Sequence, residues 1–263
     1  MNGVNKTLYI PLYGKASVSK KGIILKDKMA ELIWEKEGFP LKGKAKSKWL
    51  TYYMGMRSAV FDAWVKKKLE QYPLASVLHI GCGMDSRIMR IENKNNMWYD
   101  IDFPSVIKER EKYYQETENY HMLCADASRT DWIGELPKTE QVIVIMEGVS
   151  MYLELQELEQ LLNALQKHYP RVHILMDCYT EFAARASKYK NPVNSVGVQE
   201  LHGLDDPGYL EKKTGICFVK EHDLTPEYLI DELKGFEKRF FKCVLGGKAA
   251  KKMYRLFEYQ TLC

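Results

Sequence analysis

The chain has 263 residues, of which 46% are hydrophobic, and its six cysteines are scattered. This length suits one large core, or one core with an attached cap, and is short for two complete domains. The formal net charge of +4 is too small to indicate a nucleic acid partner, and the cysteine spacing indicates neither a disulfide framework nor a metal site.

The N-terminal region shows no export signal, and no run of eighteen apolar residues occurs anywhere. We therefore predict a cytoplasmic protein without membrane association, either a monomer or a homodimer. Residues 1–72 are rich in lysine and contain two amphipathic patterns, Met29–Trp34 and Met56–Leu69, which predict helices. We interpret residues 1–72 as a helical cap or lid segment that precedes an α/β domain at 73–263.

From Ser76 onward, short apolar runs alternate with helical patterns, which is typical of a parallel sheet with crossover helices. The leucines of Glu154–His168 recur at helical spacing and predict a helix packed on the sheet. A long segment at about 179–213, interrupted by glycine and proline, predicts a cap insertion. The predicted strands are Ser76–Ile80, Met97–Ile101, Tyr120–Cys124, Gln141–Glu147, Arg171–Cys178, Gly215–Asp223 and Tyr254–Thr261.

The stretch VLHIGCGMDSR runs from the first strand into a glycine turn, Gly81-Cys82-Gly83. In an open α/β sheet, ligands bind beside this turn, beyond the carboxyl ends of the strands. A dinucleotide fingerprint needs a third glycine, and Ser86 stands in its place. The pattern therefore argues against a nicotinamide oxidoreductase, although a lone GxG is also a common tight turn.

Three acids lie at the ends of successive predicted strands: Asp102, Asp126 and Glu147. Together they would repel a pyrophosphate and suit a ligand with hydroxyls, an exocyclic amine and positive charge. S-adenosylmethionine has all of these, and a cation for its carboxylate is available in Arg57. Each acid alone could instead be a helix cap, and Arg57 could be a surface arginine on an amphipathic helix.

Several motifs in order resemble the leucine carboxyl methyltransferase family, most closely its bacterial branch of O-methyltransferases similar to the tetracenomycin polyketide enzyme. They are LYGKASVSKKGIILKD, MRSAVFDAW, GCGMDSR, WYDIDFPSVIKERE, MEGVSMYL and GLDDP. The resemblance covers most of the chain. It implies the class I, Rossmann-like methyltransferase fold, a seven-stranded sheet with an antiparallel last strand and a helical cap.

The resemblance also implies roles for individual residues in binding S-adenosylmethionine and its product S-adenosylhomocysteine. Arg57 would hold the methionine carboxylate, Gly81 and Gly83 would lie against the methionyl and ribose part, and Asp102 would bind the ribose hydroxyls. Asp126 and the backbone of Ala127 would contact adenine, and Glu147 would lie at the methionyl end. No metal is implied.

We expect methyl transfer to a carboxylate or hydroxyl oxygen of a small, polyketide-like or aromatic acid acceptor. A carboxylate needs no general base, whereas a hydroxyl would benefit from one. Tyr152 could orient the oxygen and His202 could act as a base, although the ordinary interpretation of each is a packing or surface residue. Two alternatives stay open, a non-catalytic S-adenosylmethionine-binding scaffold and a carboxyl methyltransferase acting on a protein C-terminus.

Overall fold

The computed structural model describes residues 8–38, 41, 43–91, 95–190 and 200–261. Strands β1 to β7 span Ser76–Ile80, Trp98–Asp102, Tyr120–Cys124, Gln141–Met146, Arg171–Tyr179, Cys217–His222 and Tyr254–Gln260. Helices α1 to α11 span Tyr9–Lys20, Lys28–Glu37, Lys48–Gln71, Arg87–Ile91, Pro104–Arg110, Leu155–His168, Glu181–Lys190, Gly208–Thr214, Glu227–Ile230, Gly235–Phe240 and Lys248–Lys251. Short 3₁₀ turns lie at Gly43–Lys46, Asp131–Glu135 and Ser150–Tyr152, and a π-helical turn lies at Phe241–Leu245.

The strands form one sheet in the order β3-β2-β1-β4-β5-β7-β6. Strands β1 to β5 are parallel, and β7 runs antiparallel to both β5 and β6. Each predicted strand is present, with ends that differ from the prediction by at most two residues. The predicted seven-stranded α/β fold with an antiparallel last strand is therefore confirmed.

Helices cover both faces of the sheet, so its central strands are buried on both sides. On one face α6 presents the predicted leucine stripe, and its first turn is fixed by a capping box between Glu154 and Glu157. On the other face the second half of α3 packs Phe61, Trp64 and Val65 on the same core as β1 and β4.

The long helix α3 joins the N-terminal region to the sheet. Its second half covers a sheet face, while its first half packs against α1, where Gly14 faces Met54 and Val18 faces Gly55. Part of residues 1–72 thus forms an ordinary layer of the α/β core, and α1 lies on that layer. The boundary between a cap and a core at residue 72 stays a prediction.

The segment after β5 is anchored by GLDDP. Gly203 forms a parallel bridge with Tyr179, and a Cβ at Gly203 would lie 2.6 Å from the Cα atom of Glu181. Only glycine allows this approach. The backbone N–H of Glu181 donates to Asp205 at 3.1 Å, which caps α7. Residues 191–199 of the predicted insertion lie outside the described residues.

In the described ranges, no helix combines the length and the apolar character that a membrane span requires. The thiols of Cys82, Cys124, Cys178 and Cys243 are free. Burial raises the pKa of Cys82, which lies within the glycine turn, well above its ordinary value.

Candidate active site

The carboxyl ends of the parallel strands open into a cavity of about 750 Å³. Of the two residues considered for a catalytic role, Tyr152 lines this cavity and His202 does not. The cavity brings together all the residues predicted to bind the cofactor: Arg57, Gly81, Gly83, Asp102, Asp126, Ala127 and Glu147.

Both predicted glycines adopt a conformation that favours glycine, with φ of +66° at Gly81 and +52° at Gly83. Gly81 is also sterically required, because a Cβ there would lie 2.2 Å from Cγ2 of Val149. Ser86, which stands where a dinucleotide fold has glycine, donates its hydroxyl to Asp27 at 2.5 Å. It is therefore part of a buried polar cluster and does not open a path for a pyrophosphate.

Asp102 ends β2 and faces the glycine turn. Its two oxygens accept hydrogen bonds from the backbone N–H groups of Gly83 and Phe103, both at 2.8 Å. Burial raises the pKa of Asp102, while the two backbone hydrogen bonds oppose that shift. The carboxylate is thus oriented by the backbone at the cavity wall, in a setting suited to a ligand hydroxyl.

Asp126 follows β3 and organises the next turn of the cavity wall. Its Oδ1 accepts from the backbone N–H of Ser128 at 2.9 Å and from the Ser128 hydroxyl at 2.8 Å. Among the described residues nothing bonds its second oxygen, which leaves that atom for a donor such as an amine. Ala127 lies between them and packs against the apolar core.

Glu147 differs from the predicted open carboxylate. Arg57 Nε lies 3.1 Å from its Oε1, and its Oε2 pairs with Arg87 and accepts from Ser58 at 3.3 Å. Burial alone would raise its pKa, but Arg87 and Arg57 outweigh burial and lower the pKa to about 2. The charge of Glu147 is therefore balanced internally by Arg57 and Arg87, and its place at the methionyl end of the cofactor stays a prediction.

Arg57 is 3% exposed, so the alternative of a surface arginine is wrong. Its Nη1 donates to Asp177 at 2.8 Å, a partner that the sequence reasoning missed. Asp177 lies in β5 one residue beyond the last pairing with β4, Met146 with Met176, so it reaches the same sheet edge as the predicted acids.

The sequence reasoning also missed a buried cluster of charges beside the glycine turn. Lys15, on α1, pairs with Asp85 at 2.8 Å and lines the cavity. Arg90 reaches Asp27, Asp62 and Asp85 at 2.6 to 2.8 Å. In the described part of the chain, the cluster contains the cations Lys15, Arg57, Arg87 and Arg90 and the carboxylates Asp27, Asp62, Asp85, Glu147 and Asp177.

Away from this cluster the cavity wall is apolar. Leu50, Tyr53, Met54 and Arg57 share one face of α3 and all line the cavity. Leu50 lies about 10 Å along the helix axis from Arg57, at 1.5 Å per residue, so the wall changes from charged to apolar over this distance. Other apolar residues come from the region of α1, the 3₁₀ turn at Ser150–Tyr152, α7 and the C-terminal region: Leu8, Ile10, Pro11, Met151, Ala183, Ala186, Leu224, Ala250 and Met253.

The titratable groups at the wall offer no unengaged histidine in the described residues. His79 lines the cavity, but its Nδ1 lies 3.1 Å from Asp100 and its Nε2 lies 3.1 Å from Arg87. His202 donates its backbone N–H to the carbonyl oxygen of Met151 at 2.8 Å and lies outside the cavity wall. The predicted base is therefore not brought to the site.

The sheet order, the glycine turn after β1 and the acid that ends β2 together define the class of S-adenosylmethionine-dependent methyltransferases. Solved structures share this fold. A DUF574 family protein from Streptomyces avermitilis is 12% identical to this chain with a TM-score of 0.58, and the match covers 94% of this chain and 97% of that one. Magnesium protoporphyrin IX methyltransferase from Synechocystis with bound S-adenosylhomocysteine is 11% identical with a TM-score of 0.53, covering 89% and 94%.

The chain belongs to the leucine carboxyl methyltransferase family, whose model matches residues 12–166. It is 26% identical to the tetracenomycin polyketide synthesis O-methyltransferase TcmP of Streptomyces glaucescens, over 90% of this chain and 89% of that protein. It is 25% identical to the S-adenosyl-L-methionine-dependent methyltransferase dpfgK of Gibberella zeae, over 80% and 78%. The predicted family is therefore confirmed.

Proposed function

We propose that the protein transfers a methyl group from S-adenosylmethionine to a carboxylate or acidic hydroxyl oxygen of a small, largely apolar acceptor. The observation that carries the proposal is one cavity that joins the charged ends of the strands to an apolar wall. The similarity to the Streptomyces glaucescens relative, an O-methyltransferase of polyketide synthesis, supports it.

The residues at the charged end fit the cofactor group by group. Asp102 is held by two backbone N–H groups and would accept from the ribose hydroxyls. Asp126, with one oxygen unengaged among the described contacts, and the backbone of Ala127 would contact adenine. Arg57 and Lys15 are the cations at the wall, and they would share the methionine carboxylate.

When bound, S-adenosylmethionine supplies an electrophilic methyl group on a positively charged sulfur. This chain must then hold the acceptor oxygen in line and exclude water, and the apolar wall serves both purposes. Because His202 lies outside the wall, we infer an acceptor that is ionised without a base, which favours a carboxylate or an acidic phenol. Tyr152, at the wall, stays a candidate for orienting that oxygen.

The proposal is tested in two stages. Calorimetric titration with S-adenosylhomocysteine, beside NAD and NADP, should show binding of the first compound alone. Incubation with methyl-labelled S-adenosylmethionine and a panel of apolar carboxylic acids and phenols should then transfer label. Alkali releases the label from a methyl ester and not from a methyl ether, which separates carboxyl from hydroxyl methylation.

A peptide ending in leucine serves as the comparison acceptor. Labelling of that peptide in preference to every small molecule would contradict a small acceptor and support methylation of a protein C-terminus. Binding of S-adenosylhomocysteine without transfer to any acceptor would favour the non-catalytic scaffold.

A further inference from the structure

The carboxylate of Asp177 connects three segments of the site. Its Oδ2 accepts from Arg57 Nη1 at 2.8 Å, and its Oδ1 accepts from the backbone N–H of Gly148 at 2.6 Å. Its carbonyl oxygen also accepts from the hydroxyl of Ser150. Asp177 itself is fully buried, so it contacts the groups that line the cavity without facing the ligand.

These contacts fix the plane of the Arg57 guanidinium. Two of its five N–H groups, a number set by its chemistry, are used by Glu147 and Asp177 in the described contacts. Gly148 allows the close approach, because a Cβ there would lie 3.3 Å from Arg57 Nη2. Two carboxylates, one directly after β4 and one in β5, thereby set the direction of the remaining N–H donors of Arg57.

The two carboxylates are not equivalent. Glu147 also bonds Arg87 and Ser58, so it retains partners if Arg57 moves. Among the described groups, the side chain of Asp177 accepts hydrogen bonds only from Arg57 and the Gly148 N–H. Asp177 is thus dedicated to placing Arg57 and the turn after β4.

We propose that Asp177 is a positioning residue, which orients Arg57 to grip the carboxylate of the cofactor and at the same time holds the turn that carries Tyr152. The inference rests on the proposed function, because it assumes that Arg57 meets that carboxylate. It predicts that Asp177 matters for ligands with an amino-acid end and not for ligands without one.

The test compares two ligands by calorimetry. S-adenosylhomocysteine carries the carboxylate, whereas 5′-methylthioadenosine keeps adenine, ribose and sulfur and lacks it. Asp177→Asn should weaken binding of S-adenosylhomocysteine by about 10- to 100-fold, the scale of one lost charged hydrogen bond. Binding of 5′-methylthioadenosine should change by less than about twofold, since none of its groups would meet Arg57.

Glu258→Gln is the matched control, because Glu258 is a buried carboxylate on the neighbouring strand that pairs with Lys68 at 2.9 Å, outside the cavity. It should leave both affinities unchanged even where it lowers the melting temperature. If Asp177→Asn does not fold, Asp177→Glu keeps the charge and displaces it by one methylene, and it should show the same selective loss with a smaller size.

The two ligands also separate the possible failures. Equal loss of both affinities, or no loss of either, would overturn the positioning role while leaving the cofactor assignment intact. If the unaltered protein binds neither ligand, the proposed function fails and this inference fails with it.

Discussion

The two ends of the cavity are built on different physical principles. The end proposed to bind the cofactor, called the cofactor end, comes from strand ends and the glycine turn, and its side chains are held by ion pairs such as Lys15 with Asp85 and Arg57 with Asp177. The end proposed to bind the acceptor, called the acceptor end, comes from α1, the first half of α3 and α7, and its wall is mostly apolar. The first end is defined by directional ion pairs, and the second end is defined by the shape of its apolar wall.

This difference should decide whether a substitution changes the stability of the protein or its choice of acceptor. A buried ion pair costs much when one partner is removed, because the other charge is left without compensation. An apolar wall accepts substitution at a small cost and changes which molecule fits. Variants at the cofactor end should therefore affect stability and cofactor binding, and variants at the acceptor end should affect the choice of acceptor.

The largest expected effect is at Arg87, which is fully buried and joins Asp62 at 2.7 Å to Glu147. Arg87→Met should lower the free energy of unfolding by about 3–5 kcal/mol, since two carboxylates lose a buried cation. Urea denaturation measures this loss. Arg129→Met is the control, because Arg129 forms an exposed pair with Asp131, and its loss should stay below about 1 kcal/mol. Equal losses in both variants would show that the cluster does not support the fold.

Acid should weaken the cofactor end through Glu147. Its pKa in the folded protein is about 2, against an ordinary 4.5. The stabilisation is therefore complete above pH 4.5 and is lost as the pH falls from that value toward 2. Urea midpoints at pH 6, 4.5 and 3 measure the slope. In Arg87→Met the slope should be shallower, and a flat profile in the unaltered protein would contradict the prediction.

The sequence predicted the parts of the site that lie within short motifs. Gly81 and Asp102 were found because each follows a strand, and parallel strands end at one edge of the sheet. Asp177 lies at the same edge, just beyond the last pairing of β5 with β4, but it is inside the continuous apolar run of β5, so the sequence pattern makes it part of the strand.

The remainder depends on contacts between segments far apart in the chain. Arg87 pairs with Asp62 and Glu147 on two other elements, and no local pattern announces those partners. The acceptor wall was harder still, because Leu50 or Ala183 in a sequence looks the same whether it faces a cavity or a core. The position of His202 could not be predicted from the sequence for a similar reason, since it depends on how the turn at Gly203 packs.

Asp102→Ala tests the cofactor end without disturbing its ion pairs. It should weaken binding of S-adenosylhomocysteine by about 2 kcal/mol, roughly 30-fold, because hydrogen bonds to the carboxylate are lost. Binding of 5′-methylthioadenosine, which keeps the ribose, should weaken as well, unlike in Asp177→Asn. Asp131→Ala, an exposed site, is the calorimetric control. Unchanged affinity in Asp102→Ala would remove Asp102 from the cofactor site.

The smallest effect is expected at the acceptor end. Leu50 lies on the cavity face of α3, away from the ion pairs, so Leu50→Ala should leave the affinity for S-adenosylhomocysteine unchanged. It should lower kcat/KM for the best acceptor of the panel by roughly 5- to 30-fold. This corresponds to about 1–2 kcal/mol, the scale of lost apolar contact in a pocket, and the variant should favour a bulkier acceptor. Leu32→Ala is the control, because Leu32 is half exposed and lies outside this cavity. A loss of cofactor affinity in step with kcat/KM would mean that the apolar wall holds the cofactor too, and that the two ends of the cavity are one continuous binding site.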